Sequence, residues 1–303
     1  VTHESVYDGL FGGESDQWAF GTDFDDPLAG VTAAVPEGAD PGQLAAYCLM
    51  LGDDALVLSH RLAQWCSRAP DLEVDIALAN IALDLLGQAR LLLIRAADAD
   101  PSVVPPLPHG SPVPAEDALA FFRDDGALRN VRLAEAENGD FGETIARLLL
   151  FATWRLALFG RLVASRDAVL AAVAGKGVKE LAYHRDFAAR WFLTLAQGTG
   201  ESRLRITEGL AEAWRHHDEL FRAHPVEQQL AALGVAVDPA EAADEVAAVL
   251  GQVFAASDVA RPSVPQSGLP GGRSGRDGVH TEALSRMLAE MQSVARAHPM
   301  GRW

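Results

Sequence analysis

DIALANIALDLLGQAR, residues 75–90, decides the fold. Its residues are helix formers with no proline, and its apolar positions Leu78, Leu85 and Ala89, continued by Leu92, recur at helical spacing and not in strand alternation. LGDDALVLSHRLAQWC (51–66) stands just before it and has the same character. Between them, Arg68-Ala69-Pro70 stops one helix and Asp71 supplies an N-cap for the next. The spacing predicts helices over about 43–67 and 71–98, and so short a link makes them an antiparallel hairpin.

The pattern repeats further on. A proline-rich stretch (Pro101, Pro105, Pro106, Pro108, Pro112, Pro114) opens a long connection over 99–138, carrying a short helix at about 115–123. Asp140 and Glu143 have capping-box spacing and start a third helix to about 165, and a fourth follows over about 167–197. Two long hairpins joined by one crossover define an all-α, ferritin-like four-helix bundle. Additional C-terminal helices are predicted at about 201–223, 239–256 (Asp238 as N-cap, Pro239 at N1) and 281–297. The Gly-, Pro- and Ser-rich 262–279 reads as a mobile or partner-ordered loop.

The chain has 303 residues, 25 Lys+Arg and 42 Asp+Glu, for a net charge of −17. Such a balance excludes a nucleic-acid partner, which needs a positive surface. Residues 1–42 hold nine of the acids and none of the bases, so over half the net charge sits there. That segment reads as a loosely ordered acidic extension, with Tyr7, Phe11, Trp18, Phe20 and Phe24 leaving a docking role open. The ferritin-like helical domain then covers 43–303, including the proline-rich connection at 99–114. The apolar runs 76–97 and 145–164 are each interrupted by charge, including Asp84 and Arg155, and read as buried helices, with no membrane association. Cys48 and Cys66, if on one helix, lie about 27 Å apart, too far for a disulfide. With no signal-type opening, the expected location is the cytoplasm.

Functional ferritin-like bundles hold two metal ions with inward carboxylates and histidines, an acid from each long helix and a His three residues after the acid on the second and fourth. Here the constellation is incomplete. Asp84 is followed at that spacing by Gly87. Glu73, Asn80, Asp84 and Gln88 form a polar stripe that is either solvated or turned inward. Glu180 shares a face with His184, but Tyr183 stands where the usual His would be, so the two read as a hydrogen-bonded pair. Asp54 and Glu143 are the acids of the first and third helices, with Arg61 and Arg147 near them as candidates to replace a metal's charge. Asp54, Asp84, Glu143, Glu180 and His184 are therefore vestigial candidates. No metal, no other cofactor and no catalytic residue is expected in this chain. Arg273 and Arg276, in the loop GGRSGR, read as solvated, with a phosphate contact as the alternative.

The quoted runs, with NGDFGETIAR (138–147), KELAYHRDF (179–187), GVAVDP (234–239), GVHTEALSRMLAEMQ (278–292) and Trp303, resemble the C-subunit family of the bacterial ring 1,2-phenylacetyl-CoA epoxidase, a multicomponent monooxygenase of phenylacetate degradation. The resemblance covers nearly all of 43–303; the acidic segment and the proline-rich insertion depart from the pattern. It implies a structural, partner-binding subunit in a hetero-oligomer with a homologous A subunit that holds a di-iron site. It also implies a reductase subunit delivering electrons from NADPH through FAD and a [2Fe-2S] cluster. Enzyme activity is thereby implied for the complex and not assigned to the isolated chain. The alternative reading is a self-sufficient ferritin-like di-metal oxidase or oxygenase.

Overall fold

The computed structural model describes residue 28 and residues 30–301. The described residues contain only helices, turns and loops. The helices are α1 (Pro41–Ala63), α2 (Leu72–Ala99), α3 (Ala115–Phe121), α4 (Arg132–Glu135), α5 (Phe141–Leu162), α6 (Ala168–Ala196), α7 (Gly200–Trp214), α8 (Pro225–Ala232), α9 (Ala243–Ser257), α10 (Glu282–Met291) and α11 (Ser293–Ala297).

All four long helices begin alike. Asp40, Asp71, Asp140 and Asp167 are extended N-caps whose carboxylates accept from the amides of Gln43, Val74, Glu143 and Leu170. Each satisfies an orphan amide and places a negative charge at the positive end of a helix dipole. Two of these caps, Asp71 and Asp140, are visible in the sequence pattern.

α1 pairs with α2, and α5 with α6, as two hairpins. The bundle is ferritin-like, and its core includes Tyr47, Leu51, Leu58, Leu78, Leu85, Leu92, Phe151, Trp154, Phe159 and Phe192. Against the outer side of the second hairpin, α7 crosses so closely that a Cβ on Gly209 would lie 2.5 Å from the Glu143 Cα. α9 packs over α5 and α6.

Several expectations change. The helix expected over 201–223 stops at Trp214, and a 3-10 turn, Asp218–Phe221, precedes the unanticipated α8. The helix expected over 281–297 is broken into α10 and α11. Cys66 lies past the end of α1, exposed, while Cys48 is buried; both thiols are free. Residues 31–40 are part of the bundle and not a loose extension: Val31, Val35 and Ala39 pack on the core, and buried Arg95 donates to the Ala33 carbonyl at 2.7 Å. Of the expected extension, residues 1–27 and 29 lie outside the described residues.

The 262–279 loop is tied to the body of the fold by hydrogen bonds. Its Ser267 amide donates to Arg215 O at 2.6 Å, Gly268 O accepts from Arg132 at 2.9 Å, and the Gly275 amide donates to Glu219 at 3.0 Å. Gly275 runs against the Asn130 carbonyl, where any Cβ would collide.

Candidate functional site

The centre of the bundle is charged, and its residues come from all four long helices. On α2, Asp84 and Gln88 are one turn apart; on α6, so are Glu180 and His184. Antiparallel packing crosses the two pairs. His184 Nε2 is 3.0 Å from Asp84 Oδ2, and Gln88 Nε2 donates to Glu180 Oε2 at 2.9 Å. The expected bond between Glu180 and His184 is thus replaced, because each of them reaches across to α2 instead. The polar stripe of α2 divides: Gln88 is buried, Asp84 partly so, and Glu73 and Asn80 face solvent.

Arg155 of α5 occupies the middle of this arrangement and is fully buried. Its Nε donates to Gln88 Oε1 at 3.1 Å and Nη2 to the Leu51 carbonyl at 3.1 Å. Nη1 lies 3.9 Å from Asp54 Oδ2, and the guanidinium sits 4.4 Å from the centroid of the Phe159 ring. Burial pulls its pKa down to about 10, against the opposing pull of Asp54, so it remains a cation at neutral pH.

Asp54 of α1 is held by a second arginine. Arg276 donates to both carboxylate oxygens at 2.9 Å each, and the Val131 amide adds a third bond at 2.8 Å. Burial pushes the Asp54 carboxyl up, and Arg276 and Arg155 pull against that. For Arg276 burial is outweighed by Asp54 and Glu227, which raise it. The Glu180 carboxyl is likewise raised, chiefly by burial, with the Gln88 bond opposing.

A continuous polar path therefore runs from Glu180 through Gln88 and Arg155 to Asp54 and Arg276. Glu143 does not join it. It is half-buried at the start of α5, three turns from Arg155, with its carboxyl raised by burial and lowered by nearby Arg147. The two arginines expected to replace a metal's charge work elsewhere. Arg61 donates to the Glu135 and Ala283 carbonyls, and Arg147 to the Ala136 and Glu137 carbonyls and Asn138, fixing the chain between α4 and α5. Arg276, expected in solvent, is buried; only Arg273 of the pair is outside, donating to Asp277 O at 3.0 Å.

The sequence reading gave no site role to Arg155 or to Asp53, next to Asp54, and placed Arg276 in a solvated loop or on a phosphate instead of in the core. Asp53 is buried, pairs with Arg123 and accepts from the Arg129 amide at 2.8 Å. A signal existed for Arg155: an arginine within LLLFATWRLALF (148–159) has no solvated face to use, and a buried cation needs a partner.

The donor set does not fit a di-metal centre. A guanidinium has no lone pair to give, and that of Arg155 lies 3.9 Å from Asp54 and is linked through Gln88 to Glu180. Asp54 is committed to Arg276, His184 to Asp84, and Glu180 to Gln88. Among the described residues, no group of three or more His, Cys, Asp or Glu side chains is placed to hold a metal ion. The arrangement is suited to holding four helices together by charge.

Residues 32–303 match the model of a family described as phenylacetic acid catabolic protein. Among curated proteins, the C subunit of the 1,2-phenylacetyl-CoA epoxidase of Escherichia coli (strain K12) is 44% identical over 261 residues, covering 86% of this chain and 99% of that protein.

Proposed function

Because the chain belongs to the phenylacetic acid catabolic protein family, we propose that it is a non-catalytic structural subunit of a multicomponent phenylacetyl-CoA ring 1,2-epoxidase. It pairs with and stabilises a homologous A subunit that carries the di-iron site. The electrons come from NADPH through the FAD and [2Fe-2S] cluster of a reductase subunit. The name and 44% identity of the Escherichia coli relative support membership in such a complex. The observation that carries the non-catalytic half is Arg155, a fixed cation with hydrogen bonds to Gln88 and Leu51, placed between Asp54 and the Gln88–Glu180 pair. It balances buried negative charge that a metal would otherwise balance. The proposal puts the complex in the cytoplasm, a compartment that suits an exposed, unbridged Cys66.

The test is metal and turnover analysis on both the isolated chain and the reconstituted complex. The isolated chain, offered ferrous iron and desalted, is expected to retain none in stoichiometric amount and to turn over nothing. Activity is expected only on mixing with the A subunit and reductase. Two irons per isolated chain, or turnover without the A subunit, favours the self-sufficient oxidase instead.

A further inference from the structure

A groove of about 280 Å3 lies where the ends of α1 and α10 meet, lined by His60, Ala63 and Gln64 on one side and Met287, Glu290 and Met291 on the other. Two of the four methionines of the chain are therefore here. Being four residues apart, they share one face of α10, a turn from each other, and Met287 is buried. Each thioether sulfur has a lone pair and no proton. Across from them the imidazole of His60 is part-buried, and burial alone acts on it, lowering its pKa with no hydrogen bond or neighbouring charge in opposition. Enclosed polar groups are normally paired, so a neutral imidazole facing a groove without a partner among the described residues has a lone pair to give. Gln64 has less to offer, because its oxygen already accepts from Asn138 Nδ2 at 3.1 Å. Arg61 is committed to the Glu135 and Ala283 carbonyls and does not line the groove, whereas the exposed carboxylate of Glu290 favours a cationic occupant.

The donor set decides the occupant. Counting imidazole and carboxylate alone leaves His60 and Glu290, too few for a zinc, calcium or magnesium site built by the protein. Two thioethers with one neutral imidazole are a soft set, and soft sulfur ligands select Cu(I). Leucine would fill the same space as methionine, so the polarizable sulfur is what these two positions add. We propose that His60, Met287 and Met291 form a site for a soft monovalent metal ion, Cu(I), in the groove between α1 and α10. The bound ion ties α10 to the end of α1, and because the unfolded chain does not hold the three donors together, binding stabilises the fold. The site shares no residue with the charged centre of the bundle.

The experiment titrates the full chain with Cu(I), under anaerobic conditions and in competition with a Cu(I)-chelating dye, and with Ag(I) as a redox-inert analogue. One ion per chain and a raised thermal midpoint are expected. In a methionine-methyl NMR spectrum, Ag(I) is expected to move the resonances of Met287 and Met291 and to leave those of Met50 and Met300 in place. Met287→Leu combined with Met291→Leu conserves volume, and is expected to keep wild-type helicity by circular dichroism while weakening binding about tenfold or more. His60→Gln is expected to weaken it several-fold. Cys66→Ser, which removes the exposed thiol, is expected to leave the affinity unchanged. Wild-type affinity in the double leucine variant overturns the proposal, and so does absence of binding by the wild type. Binding that disappears with Cys66→Ser gives the ion to that thiol and overturns it as well. Zinc held as tightly as Cu(I), and lost in the double leucine variant, overturns the choice of a soft ion.

Discussion

Arg276 and Asp54, 222 residues apart, form a two-pronged ion pair in the bundle core, with both nitrogen–oxygen distances at 2.9 Å. Arg276 also donates to the carbonyls of Met50 and Arg129 at 3.0 and 2.8 Å. One side chain thus ties the loop before α10 to α1 and to the crossover. Truncation as Arg276→Ala strands a buried carboxylate and is expected to cost about 3–5 kcal/mol in urea denaturation. Asp54→Asn combined with Arg276→Met should recover part of that loss. A double variant as unstable as the sum of the two singles means that the pair is not coupled.

Leu85 is fully buried on the inner face of α2. Leu85→Ala is expected to destabilise the chain by about 2–5 kcal/mol. A change below about 0.5 kcal/mol, typical of surface positions, would contradict the assignment of that face.

Two helix glycines should respond in opposite ways. Gly87 has open space at its Cβ, so Gly87→Ala should stabilise the isolated chain by about 0.5–1 kcal/mol through backbone entropy. At Gly177 a Cβ would lie 2.7 Å from the Phe159 ring that supports Arg155, so Gly177→Ala should cost about 1–3 kcal/mol. Thermal melts of both variants check the pair, and equal shifts contradict it.

Glu180 reaches Arg155 only through Gln88, whose amide a neutral side chain can also bond. Glu180→Gln should therefore leave turnover of the assembled complex within about threefold of wild type, the scale of one modest hydrogen bond. A loss of several hundredfold in an intact complex assigns Glu180 a catalytic role.

His280 presents Nδ1 to Glu135 at 2.7 Å and Nε2 to the Leu128 carbonyl at 3.0 Å. Both partners are acceptors, so the doubly protonated ring satisfies both. Burial lowers its pKa, but the hydrogen bond and charge of Glu135, the Leu128 carbonyl and Asp53 outweigh it, and the net shift is upward. A folded-state pKa above the unfolded value of about 6.5 gives stability that is fully present below that value and is lost as pH rises through the folded one. The stability gap between wild type and His280→Gln should accordingly shrink on going from pH 6 to pH 8. His60, His216, His217 and His224 are shifted downward, chiefly by burial, and act in the opposite sense, so the difference from the variant is the quantity to follow. A gap that widens with pH contradicts the assignment.

The sequence by itself determined the all-α class, the two hairpins and the crossover, because apolar spacing and caps such as Asp71 and Asp140 are local in the chain. It also marked the ligand set as incomplete, since Gly87 and Tyr183 occupy fixed positions one turn from Asp84 and Glu180. Only the tertiary structure decided the partners. Periodicity gives the face of a helix but not its register against another. The expected pairing of Glu180 with His184 is therefore replaced by two bonds across to α2, and Asp54 finds Arg276 from the far end of the chain. Tertiary packing also decided which apolar face stays outside. The spacing of Leu78, Leu85, Ala89 and Leu92 already marks them as an inner face, and the structure buries all four; that the apolar Leu72, Ile76, Leu83 and Leu86 of the same helix stay in water only the placement of α1 and α6 shows.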